Sequence, residues 1–173
     1  MTASPSAGGP PEHLRFAMYL SALEAVPEDE EARLIVEVLR DTDARMASSA
    51  VGRHLDRRAA VLLTGDRFAA WVRLMTDLTA EQPFLRRRLE EWTRLRAVVL
   101  DQAWTAEELT AGSEWLQRAV VATPTAAPRE ALRLLAERGR TRRVRAAART
   151  RLSHVATHDR GPGTSGAGPS VFE

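Results

Sequence analysis

Leu34–Leu55 reads LIVEVLRDTDARMASSAVGRHL, and Leu132–Leu152 reads LRLLAERGRTRRVRAAARTRL. Each opens on an apolar run of helical period, breaks at a short polar turn, and resumes as a helix with a polar cap. In the first, Leu34, Ile35, Val38 and Leu39 form the stripe, Asp41-Thr42-Asp43 is the break, and Asp43 is a good N-cap. In the second, Gly139 closes one helix as a C′ residue and Thr141 caps the next. Met46 corresponds to Val144, and Ala50 to Ala148. Ser48, Ser49 and Ala50 match Ala146, Ala147 and Ala148, and side chains this small let helices pack closely. A helix–turn–helix pair written twice predicts an all-α fold.

The same period runs outward from these segments across residues 13–158, with no sustained alternation and no Asn-Gly hairpin signal. A first helix covers His13 to Val26, with Leu14, Ala17, Met18, Ser21, Ala22 and Ala25 on one face and Leu20 and Leu23 flanking it. Pro27 opens a second, where its missing N–H costs nothing. Glu28, Asp29, Glu30 and Glu31 fill its first turn, where the macrodipole favours anions, and read as a solvated face. The third is expected from Ala44 to Asp56, with Met46, Ala50, Val51 and Leu55 inward. Thr64 or Asp66 caps a fourth carrying Phe68, Trp71, Val72 and Met75. Pro83 opens a fifth, with Phe84, Leu85, Leu89, Trp92, Leu95 and Val99 inward. Thr105 with Glu108 makes a capping box for a sixth helix running to Val121. Pro128 opens the seventh, and the eighth carries Val144, Ala147, Ala148 and Leu152. Seven to eight helices are expected.

Residues 1–12 and 159–173 are rich in Gly, Pro, Ser and Ala and are expected to be disordered tails, because they have too little to bury to offset backbone ordering. The chain has no cysteine, which excludes disulfide scaffolds, thiol catalysis and cysteine metal sites. No apolar run reaches the roughly 20 residues of a membrane span, and residues 1–11 lack a basic-then-apolar signal pattern, so a cytoplasmic location is expected. All 25 basic residues are arginine, and the formal net charge is +2. The charge is unevenly spread. Glu24 to Asp43 holds eight acids and two arginines, whereas Arg129 to Arg160 holds ten arginines and three acids. Such asymmetry steers an anionic partner to one end, or pairs one end with another.

The two quoted segments resemble the HEAT-repeat family of α-solenoids. Its units carry an acidic turn followed by a Val-Arg-x-x-Ala start to the second helix. The matching residues are Asp41-x-Asp43-x-x-Met46 and Val144-Arg145-Ala146-Ala147-Ala148. Ala47 stands where the family has Arg, and Gly139 and Thr141 stand where it has Asp. The match covers two units, and Gly65 to Val121 follows the pattern less well. The resemblance implies a short α-solenoid of stacked antiparallel hairpins, with a curved face that binds protein or nucleic acid. Some HEAT-like proteins are alkylpurine DNA glycosylases, which use Trp, Arg and Asp along a basic groove. Here Trp104 lies near Asp101, with arginines at Arg86 to Arg88 and Arg138 to Arg151, but Trp104 precedes Glu108 rather than an Asp four residues later.

No GxSxG, Walker loop or HExxH is present. His154 and His158 stand at i, i+4 without an evident third ligand, and read as solvated. His54 reads as a helix-end histidine favoured by the C-terminal dipole. Trp71, Trp92 and Trp115 read as packing anchors, and Trp104, in a link, as a staple or a platform for a ligand. The residues picked out for binding are Arg138, Arg140, Arg142, Arg143, Arg145 and Arg149; Arg142, Arg145 and Arg149 share a helical stripe. Arginine forks grip carboxylates and phosphates bidentately. The expectation is a non-enzymatic adaptor that binds a partner protein through these arginines, with nucleic acid as the alternative partner and no membrane, metal or cofactor.

Overall fold

The computed structural model describes residues 11–123 and 128–158. Among them it is entirely helical: α1 (Glu12–Ala25), α2 (Glu28–Leu39), α3 (Ala44–Leu62), α4 (Phe68–Leu78), α5 (Pro83–Val99), α6 (Ala106–Ala111), α7 (Glu114–Ala122), α8 (Arg129–Arg138) and α9 (Arg142–His158). None of these helices is long and apolar enough to cross a membrane. The expected tails lie outside the described residues, except that Pro11 is the N-cap of α1 and Glu12 begins it. The chain divides into two compact units, unit 1 (Met1–Arg96) and unit 2 (Ala97–Glu173).

Local chemistry sets most helix ends. Asp43 accepts from the Met46 N–H at 2.9 Å at the start of α3. Thr105 and Glu108 complete the capping box of α6. Thr141 accepts from the Val144 N–H at 3.2 Å at the start of α9. Three expectations are corrected. The helix expected from Thr105 to Val121 is two helices, because Gly112 turns extended and Ser113 caps α7 by accepting from the Leu116 N–H at 3.2 Å. A Cβ on Gly112 would sit 2.8 Å from a Leu116 methyl and 3.1 Å from the Leu109 carbonyl, so a larger residue there has to displace the Leu116 side chain. Neither Thr64 nor Asp66 caps α4, whose N-cap position is Arg67 in helical geometry. Finally, α3 runs past Asp56 to Leu62.

In unit 1, helices two apart in the chain lie side by side and parallel. Arg53 stacks on Phe16, and Arg57 donates to the Leu23 carbonyl at 2.6 Å, so α3 follows α1 in register. Ser48 donates to Gln82 at 3.0 Å, the Trp92 indole to Asp56 at 2.8 Å, and Arg96 to the Leu63 carbonyl, so α5 follows α3. The Trp71 indole donates to Glu31, so α4 follows α2. The core between them is Leu23, Ile35, Val38, Ala50, Leu55, Phe68, Met75, Leu85 and Leu89.

The rotation of α1 differs from its sequence pattern. Leu14 and Met18 are 49% and 59% exposed, while Leu23 is 1% exposed and Phe16, Tyr19 and Leu20 are half-buried. Polar anchors choose that face: the Tyr19 hydroxyl donates to Asp41 at 2.7 Å, and Arg15 pairs with the same carboxylate at 3.3 Å. The Asp43 N–H and the Tyr19 hydroxyl hold the Asp41 carboxyl below its ordinary range. The Asp41 bond in turn raises the Tyr19 phenol.

In unit 2, α8 and α9 form an antiparallel hairpin, with α6 beside α8 and α7 beside α9. Leu116, Val120, Leu132, Leu135, Val144 and Ala148 are the core. Gln117, fully buried, joins the parts. Its amide donates to the Leu109 and Thr110 carbonyls at 3.0 and 3.1 Å, and its oxygen accepts from the Arg140 N–H at 2.8 Å.

Candidate functional site

The six arginines picked out in the sequence all lie on the α8–α9 hairpin. A tight turn brings them together. Gly139 is extended rather than left-handed, so its requirement is spatial: a Cβ would meet the Leu135 carbonyl at 2.5 Å and a Val144 methyl at 2.8 Å. Gln117 clamps the next backbone N–H, and Thr141 caps α9. The turn is therefore rigidly tied at three consecutive points.

The structure divides the six into two sets. Arg145 donates to the Gly139 carbonyl at 2.6 Å, and Arg149 donates to the Ala136 carbonyl at 3.0 Å. Both carbonyls belong to the end of α8, where helical acceptors lack partners within the helix. Arg145 is half-buried and Arg149 exposed. The stripe of Arg142, Arg145 and Arg149 is thus not one open row, because two of its members tie α9 to α8. Arg138, Arg140, Arg142 and Arg143 are exposed, and their side chains make no hydrogen bond or ion pair with a described residue.

Arg142 and Arg143 also occupy the first turn of α9, which holds no acid. The N-terminal end of a helix carries partial positive charge, so a cation there is disfavoured by about 0.3–1 kcal/mol. Local stability and residue choice conflict at this point, and such conflicts concentrate where a protein meets something else.

Trp104 does not join the arginine set. It is half-buried in the α5–α6 link, its indole donates to Asp101 at 3.3 Å, and it lines a cavity with residues of α8. His154 is exposed, and the His158 side chain lies outside the described residues. Among the described residues no group of three or more His, Asp or Glu side chains could hold a metal ion.

Sequence reasoning missed a buried polar cluster in unit 1. Glu31, read above as solvated, is 3% exposed, and so is His54, which sits mid-helix rather than at a helix end. Glu31 accepts from His54 Nε2 at 2.6 Å, Arg58 Nε at 3.2 Å and the Trp71 indole at 3.2 Å. Arg57 faces His54 Nδ1 at 3.2 Å. Arginine only donates, so Nδ1 accepts and the ring proton sits on Nε2. Burial pushes the Glu31 carboxyl up, but the His54 and Trp71 hydrogen bonds and the Arg58 charge outweigh it and hold it below its ordinary value. The signal was in the spacing: Glu31 stands four residues before Ile35 and seven before Val38, on the buried stripe of α2.

A second carboxylate repeats the arrangement one helix on. Asp56 accepts from the Trp92 indole at 2.8 Å and faces Arg88 at 3.5 Å, which also pairs with Glu91 at 3.6 Å. Burial raises the Asp56 carboxyl and Glu91 adds to the rise, against the pull of Trp92 and Arg88. In both clusters a carboxylate on one helix is held by an indole and a guanidinium from other positions, an arrangement that ties helix to helix.

Comparison with known proteins finds no matching family model, no matching curated protein and no matching solved structure.

Proposed function

We propose that this chain is a helical adaptor that binds an acidic surface of a partner protein through Arg138, Arg140, Arg142 and Arg143. One observation carries the reading. Four exposed arginines without partners among the described residues crowd the α8–α9 turn, and two of them stand at the positive end of α9. Desolvating that charge is favourable only against an anion, and a carboxylate-rich surface supplies several at once. The side-by-side order of α1, α3 and α5, with α2 beside α4, supports reading unit 1 as stacked hairpins of the HEAT-like kind. Protein is favoured over nucleic acid because the cationic patch is short, no aromatic residue interleaves it, and Arg145 and Arg149 are engaged on α8.

The test is photocrosslinking in the source cell. A photoreactive residue replacing Arg140 is expected to capture one acidic protein, and the Arg142→Glu/Arg143→Glu pair is expected to abolish the capture. A control crosslinker at Arg94 of α5 is expected to capture nothing in common with it. Recovery of nucleic acid at Arg140 would replace the protein reading with the nucleic-acid one. Capture indifferent to the charge reversal would refute both.

A further inference from the structure

Unit 2 carries a second surface, of opposite sign. At the end of α5 the Gln102 N–H donates back to the Ala97 carbonyl at 2.8 Å, and the Asp101 N–H to the Val98 carbonyl at 3.2 Å. That helix ending puts Asp101 in the left-handed region, φ 49°, which a short polar side chain tolerates. The turn delivers Trp104 beside Asp101, and the 3.3 Å bond tethers the edge of the indole. Facing it, α8 presents Glu130, Arg133, Leu134 and Glu137, which lie on one helical face at i, i+3, i+4 and i+7. With Ala106 these residues line a cavity of about 380 Å³. Ligand cavities start at about 300 Å³.

Three carboxylates stand there against one guanidinium. Glu130 and Glu137 make no ion pair with a described residue, although Arg133 occupies the spacing at which such pairs form. The cavity therefore combines unneutralised negative charge, an aromatic wall and an apolar floor at Leu134. This combination suits a planar cation. A guanidinium stacks on an indole face while its edge forks onto carboxylates, whereas an ammonium is a point charge that holds its water more strongly.

We propose that this cavity binds the guanidinium of an arginine presented by an extended basic segment of a partner protein. The inference uses none of the arginines at the α8–α9 turn and is argued independently of them. Charge complementarity selects the occupant. The cavity takes a cation and excludes an acidic segment, so this cavity and the arginine cluster suit occupants of opposite charge.

The test uses the full chain labelled with nitrogen-15 and a short peptide, acetyl-Gly-Arg-Gly-Arg-Gly amide, with a citrulline-for-arginine control. Citrulline keeps the shape and loses the charge. The chain has four tryptophans, and Trp104→Phe assigns the Trp104 indole N–H resonance. The arginine peptide is expected to shift that resonance saturably, and the citrulline peptide to bind about tenfold more weakly or less. Glu130→Gln/Glu137→Gln is expected to remove the response, while unchanged resonances of the other indoles report that the fold is intact. A Trp104 resonance that stays still at saturating peptide would overturn the proposal, as would equal shifts with citrulline or in the glutamine pair. A shift that appears on raising protein concentration alone, and is lost in Arg140→Gln/Arg142→Gln/Arg143→Gln, would overturn the partner as occupant and assign a second copy.

Discussion

Helices α2 and α9 begin in opposite ways. The first turn of α2 holds Glu28, Asp29, Glu30 and Glu31, as the macrodipole prefers, and that of α9 holds Arg142 and Arg143, as it does not. Their surroundings differ in the same sense. In unit 1 carboxylates hold Arg15 (Asp41), Arg58 (Glu28 and Glu31), Arg67 (Glu28) and Arg88 (Asp56 and Glu91), Arg57 and Arg96 donate to main-chain carbonyls, and Arg40, Arg45, Arg73, Arg86, Arg87 and Arg94 are exposed. In unit 2, Arg145 and Arg149 donate to main-chain carbonyls, and the four arginines around the α8–α9 turn face outward. One residue type thus serves cohesion in both units, through carboxylates and carbonyls in unit 1 and through carbonyls in unit 2, and four exposed arginines gather at the α8–α9 turn. The contacts of each arginine, rather than composition, separate those that join helix to helix from those that face outward.

The comparison breaks most visibly at Glu31. Glu31→Ala strands the His54 N–H and the Trp71 indole and leaves Arg58 only its 3.7 Å pairing with Glu28. A loss of about 3–5 kcal/mol is expected, as when one partner of a buried pair is removed. Urea denaturation measures it, and hydrogen exchange is expected to place the loss in α2, α3 and α4. A result under 1 kcal/mol would mean that the cluster is not what holds unit 1.

Gly139→Ala probes the turn that presents the arginines. The added Cβ collides with the Leu135 carbonyl and the Val144 side chain. A cost of about 1–3 kcal/mol is expected from overpacking, with weaker capture of the partner because the four arginines lose their common frame. Thermal melting followed by circular dichroism checks the first, and crosslinking the second.

Equal chemistry in the two units gives a control. Asp43→Ala and Thr141→Ala each remove an N-cap bond, and each is expected to cost about 1 kcal/mol. Unequal losses would show that one helix depends on its cap more than its packing implies.

The sharpest separation is one of sign. Arg142→Glu and Arg143→Glu are each expected to stabilise α9 by about 0.3–1 kcal/mol, while partner capture is lost. A destabilised variant would return these arginines to the cohesive class and remove the basis of the proposed function.

The smallest effect concerns pH and the two carboxylates. The folded value of Glu31 lies below its ordinary one, so its contribution is present above the unfolded value and lost as pH falls through the folded value. Asp56 is raised, so its contribution is full below its unfolded value and lost as pH rises through the folded one. Asp56→Asn keeps an acceptor for the Trp92 indole. It is expected to change stability by no more than about 0.5 kcal/mol at neutral pH and to flatten the profile just above the usual carboxylate range. Chemical denaturation across acid pH measures both.

Much of this was readable from local signals. Asp43, Thr105 and Thr141 cap as their types and positions predict, and the Leu132–Leu152 segment is a hairpin with Gly139 at its turn. The cluster of arginines was readable too, but not its division, because nothing in the spacing of Arg142, Arg145 and Arg149 says that two of them reach carbonyls on α8. Glu31 was misread for the opposite reason. Its neighbours Glu28, Asp29 and Glu30 are exposed, and the helix-start reading that fits them hid the residue that faces inward. On α1 both faces are apolar, so periodicity offered two answers, and Tyr19 and Arg15, reaching for Asp41, chose between them.

Helical class, the place of most helix ends and the gathering of positive charge near the last turn follow from the amino-acid order. Caps, proline, glycine and first-turn charge act within about four residues, a range over which the chain is its own environment. Burial of Glu31, rotation of α1 and the engagement of Arg145 and Arg149 depend on residues 6 to 40 positions away. Hydrogen bonds act only at contact, so these choices arise when the helices pack.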